Sequence, residues 1–130
     1  MKKETFISYV FLIFLGGVTS LSLPPFNYFI FNFFTFTIFF LFLIKIIDKT
    51  NNKKIYFIYG WLFGFGYFVT NLYWISISLT FDQNYKFLIP FSMILIPAFL
   101  GLFYGLISYF FIASFIGEHI AFHNQFLKAD

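Results

Sequence analysis

Four stretches of the chain carry no charged side chain, and each approaches or exceeds the length that a helix needs to cross a bilayer. A helix crosses ~30 Å of hydrocarbon with about 20 residues, at a rise of ~1.5 Å per residue. The pattern therefore predicts an all-α integral membrane protein, a bundle of four transmembrane helices. The predicted spans are residues 6–23, 28–44, 55–80 and 91–117.

Prolines set the end of the first span. Pro24 and Pro25 cannot continue a helix, because proline lacks the N–H and clashes with the preceding turn. The opening also fits a secretory signal, since two lysines precede an apolar stretch with small residues at 17–20. The apolar stretch continues to Leu23 and stops at prolines, which favours a membrane span; a signal would leave three spans.

The fourth apolar window, residues 87–117, is too long for one straight span. As a continuous helix it would measure about 46 Å, more than the bilayer core. Pro90 and Pro97 lie two turns apart within it. We expect an irregular or interfacial outer stretch, then a membrane helix from about Ala98 or slightly earlier to Gly117. Residues 1–117 would form the membrane domain, and 118–130 a short, polar, loose cytoplasmic tail.

The lysines predict the orientation of the bundle. Lysines in short loops are retained in the cytoplasm. With both termini inside, seven lysines are cytoplasmic and Lys86 alone is outside. The seven are Lys2, Lys3, Lys45, Lys49, Lys53, Lys54 and Lys128. Both termini are therefore expected to be cytoplasmic.

Composition narrows the chemistry that the chain can perform. Hydrophobic residues make up 61% of the sequence and charged residues 10%, against about 25% charged in soluble domains. The chain has no cysteine, which excludes disulfides, thiolate metal sites and cysteine nucleophiles within it. The net charge of +3 comes from loop lysines and does not indicate a nucleic-acid partner. No cofactor is expected.

Two GxxxG patterns predict close helix packing, Gly60–Gly64 and Gly101–Gly105, with a weaker version at Gly16–Ser20. Apolar surface gives helices no drive to associate in lipid, so close backbone approach at small residues matters more. The alternative is chance, because eight glycines in apolar windows often fall four residues apart.

Aromatic residues with polar tips are expected to anchor the third helix at the membrane interfaces. Tyr56 and Tyr59 lie beside the basic loop, and Tyr73 and Trp74 lie near the other end of the same span. A ligand-binding role for Trp74 is the alternative.

Polar chemistry inside the predicted spans is sparse. No ionisable acid, base or histidine lies at midspan, which argues against a proton-coupled transporter. Asn32 and Asn71 are expected to form interhelical hydrogen bonds. His119 and His123 have the i, i+4 spacing of a metal pair but no third ligand, so no metal site is predicted.

Three segments resemble the amino-terminal membrane region of apolipoprotein N-acyltransferase, in the same order and spacing. The first is 17–27, a helix end with small residues followed by Pro-Pro-Phe-Asn; the second is the glycine-rich 60–68; the third is 71–78, with Trp74-Ile-Ser at its centre. The resemblance covers roughly residues 10–115, about the first quarter of the family's usual length.

The resemblance implies a bacterial inner-membrane, multi-pass protein of lipoprotein maturation. That family transfers an acyl chain from a phospholipid to the α-amino group of a lipid-modified amino-terminal cysteine, through a thioester on its own cysteine. A Glu-Lys-Cys set in a periplasmic nitrilase-like domain performs this chemistry. Because the present sequence has no cysteine, no catalytic residue transfers to any position here.

The resemblance implies membrane phospholipid as a partner, together with apolipoproteins or a separate catalytic domain. The sequence is then a truncated reading of a longer enzyme, one half of a split enzyme or a decayed relic, and the first is preferred. In each case the expected contribution is anchoring by a lipid-facing bundle. The alternative from another class is a non-enzymatic membrane scaffold or subunit, which would explain the missing chemistry equally well.

Overall fold

The computed structural model describes residues 2–22, 28–47, 52–81 and 83–127, and within these ranges every regular element is helical. This confirms the all-α prediction. Four α-helices are present, with a short 3-10 helix after the first and another before the fourth. They are α1 (Lys2–Thr19), the 3-10 helix Ser20–Ser22, α2 (Ile30–Ile47), α3 (Lys53–Leu79), the 3-10 helix Gln83–Leu88 and α4 (Ile89–Leu127).

Helices α1, α3 and α4 are long and apolar enough to cross a membrane, judged by length and composition. Helix α2 is also apolar, but its apolar stretch, Ile30–Ile46, is shorter than those of the other three helices. The Pro-Pro turn expected after the first span, residues 24–27, lies outside the described residues.

Contacts between helices fix the relative directions of α1 and α3. The rings of Tyr9 and Tyr59 lie 6.0 Å apart near the beginnings of the two helices. About two turns further along both helices, Gly16 of α1 lies against Tyr67 of α3. Because the residue numbers rise together, α1 and α3 run parallel.

Helices α2 and α4 run antiparallel to α3. Phe42 packs on Tyr59 with ring centroids 5.6 Å apart, while the earlier Phe36 packs on the later Phe63, also at 5.6 Å. On α4, Gly105 lies against Phe57, and the earlier Gly101 lies against Trp61. The directions alternate along the chain, so α1 and α3 begin at the end of the bundle where α2 ends.

The core is centred on Phe63 of α3, whose side chain is fully buried. Phe39 stacks on it at 4.3 Å and Tyr104 packs against it at 5.8 Å. Helix α3 therefore contacts all three other helices, and its most extensive contact is with α4. The buried hydrophobic cluster comprises Leu12, Leu15, Phe39, Leu43, Tyr56, Tyr59, Phe63 and Ile112.

The outer surface of the bundle is strongly apolar. Large hydrophobic side chains are exposed on α1, α2 and α4, among them Phe14, Phe33 and Phe99, at 69%, 72% and 62%. Such a surface is unfavourable in water but needs no protein partner in hydrocarbon. It fits a protein that lipid surrounds.

Local hydrogen bonds explain why two helix ends differ from the predicted span limits. Helix α3 begins at Lys53 because Asn52 caps it: the Lys54 amide donates to Asn52 Oδ1 at 3.1 Å. Helix α1 changes to 3-10 geometry at Ser20, where Ser22 donates its hydroxyl to the Thr19 carbonyl at 2.8 Å. Such side-chain bonds to the backbone compete with regular helix.

The break expected in the fourth helix is absent, since α4 is a single helix from Ile89 to Leu127 with Pro97 inside it. Pro97 is buried between helices. Proline is tolerated inside membrane helices where neighbouring helices compensate for the lost backbone bond. The irregular stretch instead precedes the helix, as the 3-10 segment Gln83–Leu88.

Helix α4 also continues beyond Gly117, where a loose tail was expected. Ile112 and Ile116 are its last side chains packed on the core among the described residues. The helix then runs for eleven more residues, to Leu127, or about 16 Å. The helix therefore does not stop at the predicted end of the span.

Candidate functional site

The first of the predicted glycine pairs, Gly60 and Gly64, lies on the face of α3 that meets α4. A Cβ added at Gly60 would collide with the Ser108 side chain and lie 2.5 Å from the Tyr104 carbonyl oxygen. A Cβ added at Gly64 would lie 2.7 Å from Tyr104 Cβ. Both distances are too short for real Cβ contacts, so hydrogen at these positions lets the helices approach closely.

The second pair, Gly101 and Gly105, lies on the facing side of α4. A Cβ at Gly101 would be 3.1 Å from the Trp61 carbonyl oxygen, and one at Gly105 would be 3.0 Å from that of Phe57. The two GxxxG patterns therefore face each other across one antiparallel contact. We call these four glycines the glycine seam.

A second close contact joins α1 to α3. A Cβ at Gly66 would collide with the Ile13 carbonyl oxygen, and one at Gly16 would collide with the Phe63 carbonyl oxygen. Gly66 was not among the predicted packing residues. Gly66 is the third glycine in residues 60–66. It was missed because it does not lie four residues from Gly60 or Gly64, the spacing used to find the other packing glycines.

One side-chain hydrogen bond also crosses the α3–α4 contact. The Trp61 Nε1–H donates to the Ala98 carbonyl oxygen at 2.8 Å, one residue after the buried Pro97. Sequence reasoning did not single out Trp61 for this role, because the sequence does not show which backbone carbonyl of another helix lies opposite the indole. Beside it lies an apolar groove of about 630 Å³ on the outside of the bundle, lined mainly by α4 side chains, including Leu95, Phe99 and Leu102.

The aromatic residues expected to anchor α3 differ in their exposure. Tyr56 and Tyr59 are buried, at 0% and 7% exposed, because α1 and α2 cover that face of the helix. They therefore lack the lipid-facing position expected of an anchor. Tyr73 is 55% exposed near the opposite end. The side chain of Trp74 lies outside the described part of the molecule.

Two of the polar candidates, Asn71 and Asn32, have described side chains. Asn71 donates from Nδ2 to the Tyr67 carbonyl of its own helix at 3.0 Å, instead of the interhelical bond expected. Asn32 lines a shallow groove on the outside of α2, among phenylalanines. The side chains of His119 and His123 lie outside the described ones. Among the residues that the structure does describe, no three His, Cys, Asp or Glu side chains come together as metal ligands.

Taken together, the site is a packing site. The glycine seam, the Trp61–Ala98 bond and the α1–α3 contact hold backbones together. Their chemical capacity is to fix the relative positions of helices in an apolar solvent.

Comparison with known proteins gives a consistent match. Residues 15–127 match the model of the apolipoprotein N-acyltransferase N-terminal domain. An apolipoprotein N-acyltransferase from Agrobacterium fabrum is 37% identical over 100 residues, covering 69% of this chain and 18% of the relative. One from Brucella melitensis is 31% identical over 124 residues, covering 88% of this chain and 23% of the relative. The chain thus spans about a fifth of the relatives' length, and no solved structure matches it.

We expect the glycine seam to be intolerant of even one methyl group. Gly60→Ala should lower the free energy of unfolding by about 1–3 kcal/mol, because the new Cβ meets backbone oxygen. In an ordinary helix the same change stabilises by up to ~1 kcal/mol. The measurement is unfolding of the detergent-solubilised protein by a denaturing detergent, followed by circular dichroism.

The matched control is Gly117→Ala on α4, where an added Cβ has nothing within 4 Å. This variant should be as stable as the parent or slightly more so. Equal stability of the two variants would show that the seam does not need glycine.

Loss of the Trp61 indole N–H should weaken the α3–α4 contact. Trp61→Phe is expected to cost about 0.5–2 kcal/mol, the range of interhelical hydrogen bonds in membranes. Tyr73→Phe, at an exposed position, should cost little. The chain has two tryptophans, so the indole N–H signals resolve by NMR; rapid solvent exchange at the Trp61 signal would contradict a bonded N–H.

Proposed function

The chain belongs to the apolipoprotein N-acyltransferase family, and from this premise we propose that it is the membrane-anchoring amino-terminal part of such an enzyme. In this proposal residues 1–117 form a four-span bundle in the bacterial inner membrane. The acyl transfer from phospholipid to apolipoprotein takes place on protein outside these 130 residues. The observation that carries the proposal is the family match at residues 15–127.

Bundle dimensions support a transmembrane placement. The apolar stretch Lys53–Tyr73 of α3 has 21 residues, or about 31 Å at helical rise, close to the ~30 Å of a hydrocarbon core. Helix α2 runs antiparallel beside it through Phe36, Phe39 and Phe42. A fourth span by α2 is therefore favoured, although it is shorter.

Alternation of helix directions supports cytoplasmic termini. It brings the beginning of α1, the end of α2 and the beginning of α3 to one end of the bundle. Lys45, Lys53 and Lys54 are exposed at that end. Because positive flanks are retained in the cytoplasm, this end should face the cytoplasm.

The sequence supports an anchoring role and not a catalytic one for this part. With no cysteine, it cannot form the thioester that the family resemblance implies. Its exposed phenylalanine-rich faces would instead lie against phospholipid chains, beside which lipid and lipoprotein substrates could be presented.

A hybrid enzyme tests the proposal. We would replace the matching segment of the Agrobacterium fabrum relative by residues 15–127 and measure acyl transfer from phospholipid to a diacylated lipoprotein peptide. The hybrid should transfer acyl chains, and the 130-residue chain alone should not, because it lacks a thiol. A hybrid that is inserted and stable in membranes but inactive, beside an active parent, would favour the scaffold alternative.

The orientation predicts where inserted reporters function. A fluorescent protein inserted between Lys49 and Asn52 should fluoresce, and alkaline phosphatase at the same place should be inactive. The matched insertion between Thr80 and Gln83, at the other end of α3, should give the reverse. Active phosphatase between Lys49 and Asn52 would invert the proposed topology.

A further inference from the structure

A groove between α3 and α4 ends at a lysine. It has a volume of about 420 Å³ and is lined by Lys54, Phe57 and Ile58 of α3 and by Leu106 and Tyr109 of α4. This size lies in the range of small-molecule sites, ~300–1,000 Å³. Ile58 and Leu106 are 40% and 45% exposed, so the groove opens on the outer surface of the bundle. We call it the Lys54 groove.

One charged residue, Lys54, lines the groove. Lys54 is exposed, and it has no carboxylate partner in the part of the chain that the structure describes. Glu118, on α4, lies nine residues beyond Tyr109, or about 13 Å along the helix. Lys53 adds a second positive charge at the same helix end.

The position of the groove matches the depth of a lipid headgroup. Lys54 lies in the first turn of α3, at the end of the ~31 Å apolar stretch, and Ile58 lies one turn deeper. A lysine at such a place lays its aliphatic stem along apolar surface and holds its ammonium at the interface. Tyr109, half-buried, lines the same groove.

We propose that the Lys54 groove binds one anionic phospholipid of the cytoplasmic leaflet. The phosphate would accept a hydrogen bond from the exposed Lys54 ammonium at the rim, and an acyl chain would lie between Ile58 and Leu106. Basic pockets between membrane helices on the cytoplasmic side are suited to anionic headgroups. The inference rests on the membrane placement proposed above, but it concerns a lipid that is bound and not consumed.

The occupant is a lipid and not a free anion because the walls are apolar and face outwards. A soluble phosphate would gain the lysine contact but leave the Phe57, Ile58 and Leu106 surfaces uncovered. A phospholipid satisfies both the charge and the apolar walls.

The test is lipid binding to the full 130-residue chain, delipidated in neutral detergent and examined by native mass spectrometry. Phosphatidylglycerol should form a one-to-one adduct at lower concentration than phosphatidylcholine. Lys54→Gln should weaken phosphatidylglycerol binding about 5-fold, the effect of one lysine charge near a membrane surface. The matched control is Lys45→Gln, which removes an equal charge from the exposed end of α2 and should leave binding unchanged.

A second variant tests the groove itself. Leu106→Trp fills the groove from α4 while keeping Lys54, and it should abolish the preference for phosphatidylglycerol; its circular dichroism checks that it folds. Equal adducts with both lipids, equal losses for Lys45→Gln and Lys54→Gln, or displacement by glycerol 3-phosphate would each overturn the proposal. The reporter insertions are read independently, so a wrong topology and an empty groove give different results.

Discussion

Close backbone contact along α3 is the interaction on which the rest of the structure depends. In a bilayer, apolar side chains gain nothing by leaving lipid for protein, so helices associate through packing and a few polar contacts. Helix α3 has close contacts on two faces. Gly60 and Gly64 allow α4 to approach closely, and Gly66 allows α1 to do so. Bulkier residues at these positions would separate the backbones and leave α3 without its neighbours.

Aromatic side chains fill the space that the glycines leave around the contacts. Tyr104 lies over Gly64 and also packs on Phe63, Tyr67 and Phe68, with ring centroids 5.8–6.0 Å apart. The buried Thr19 hydroxyl is satisfied within its own helix, where it donates to the Leu15 carbonyl at 2.9 Å. Glycines and aromatic rings thus fill the interior around Phe63 closely.

Spacing in the sequence predicted helices and helix packing at Gly60–Gly64 and Gly101–Gly105, because GxxxG places two small residues on one helix face; that the two pairs meet each other is a finding of the structure. The spacing could not predict which way a helix is rotated in the bundle. Tyr56 and Tyr59 lie at the right depth for anchors, yet α1 and α2 cover them. Pro97 was expected to interrupt α4, but its burial between helices, a tertiary feature, allows the helix to continue.

The exposed lysines at one end of the bundle connect the proposals. The end with Lys45, Lys53 and Lys54 is basic. A phosphate held at Lys54 would fix the depth of α3 and α4 against the cytoplasmic leaflet. The glycine seam holds α3 and α4 in close backbone contact. A fixed depth at Lys54 would therefore also fix the depth of Tyr73, about 31 Å along α3. The opposite end of the bundle would then stand at a constant depth in the membrane.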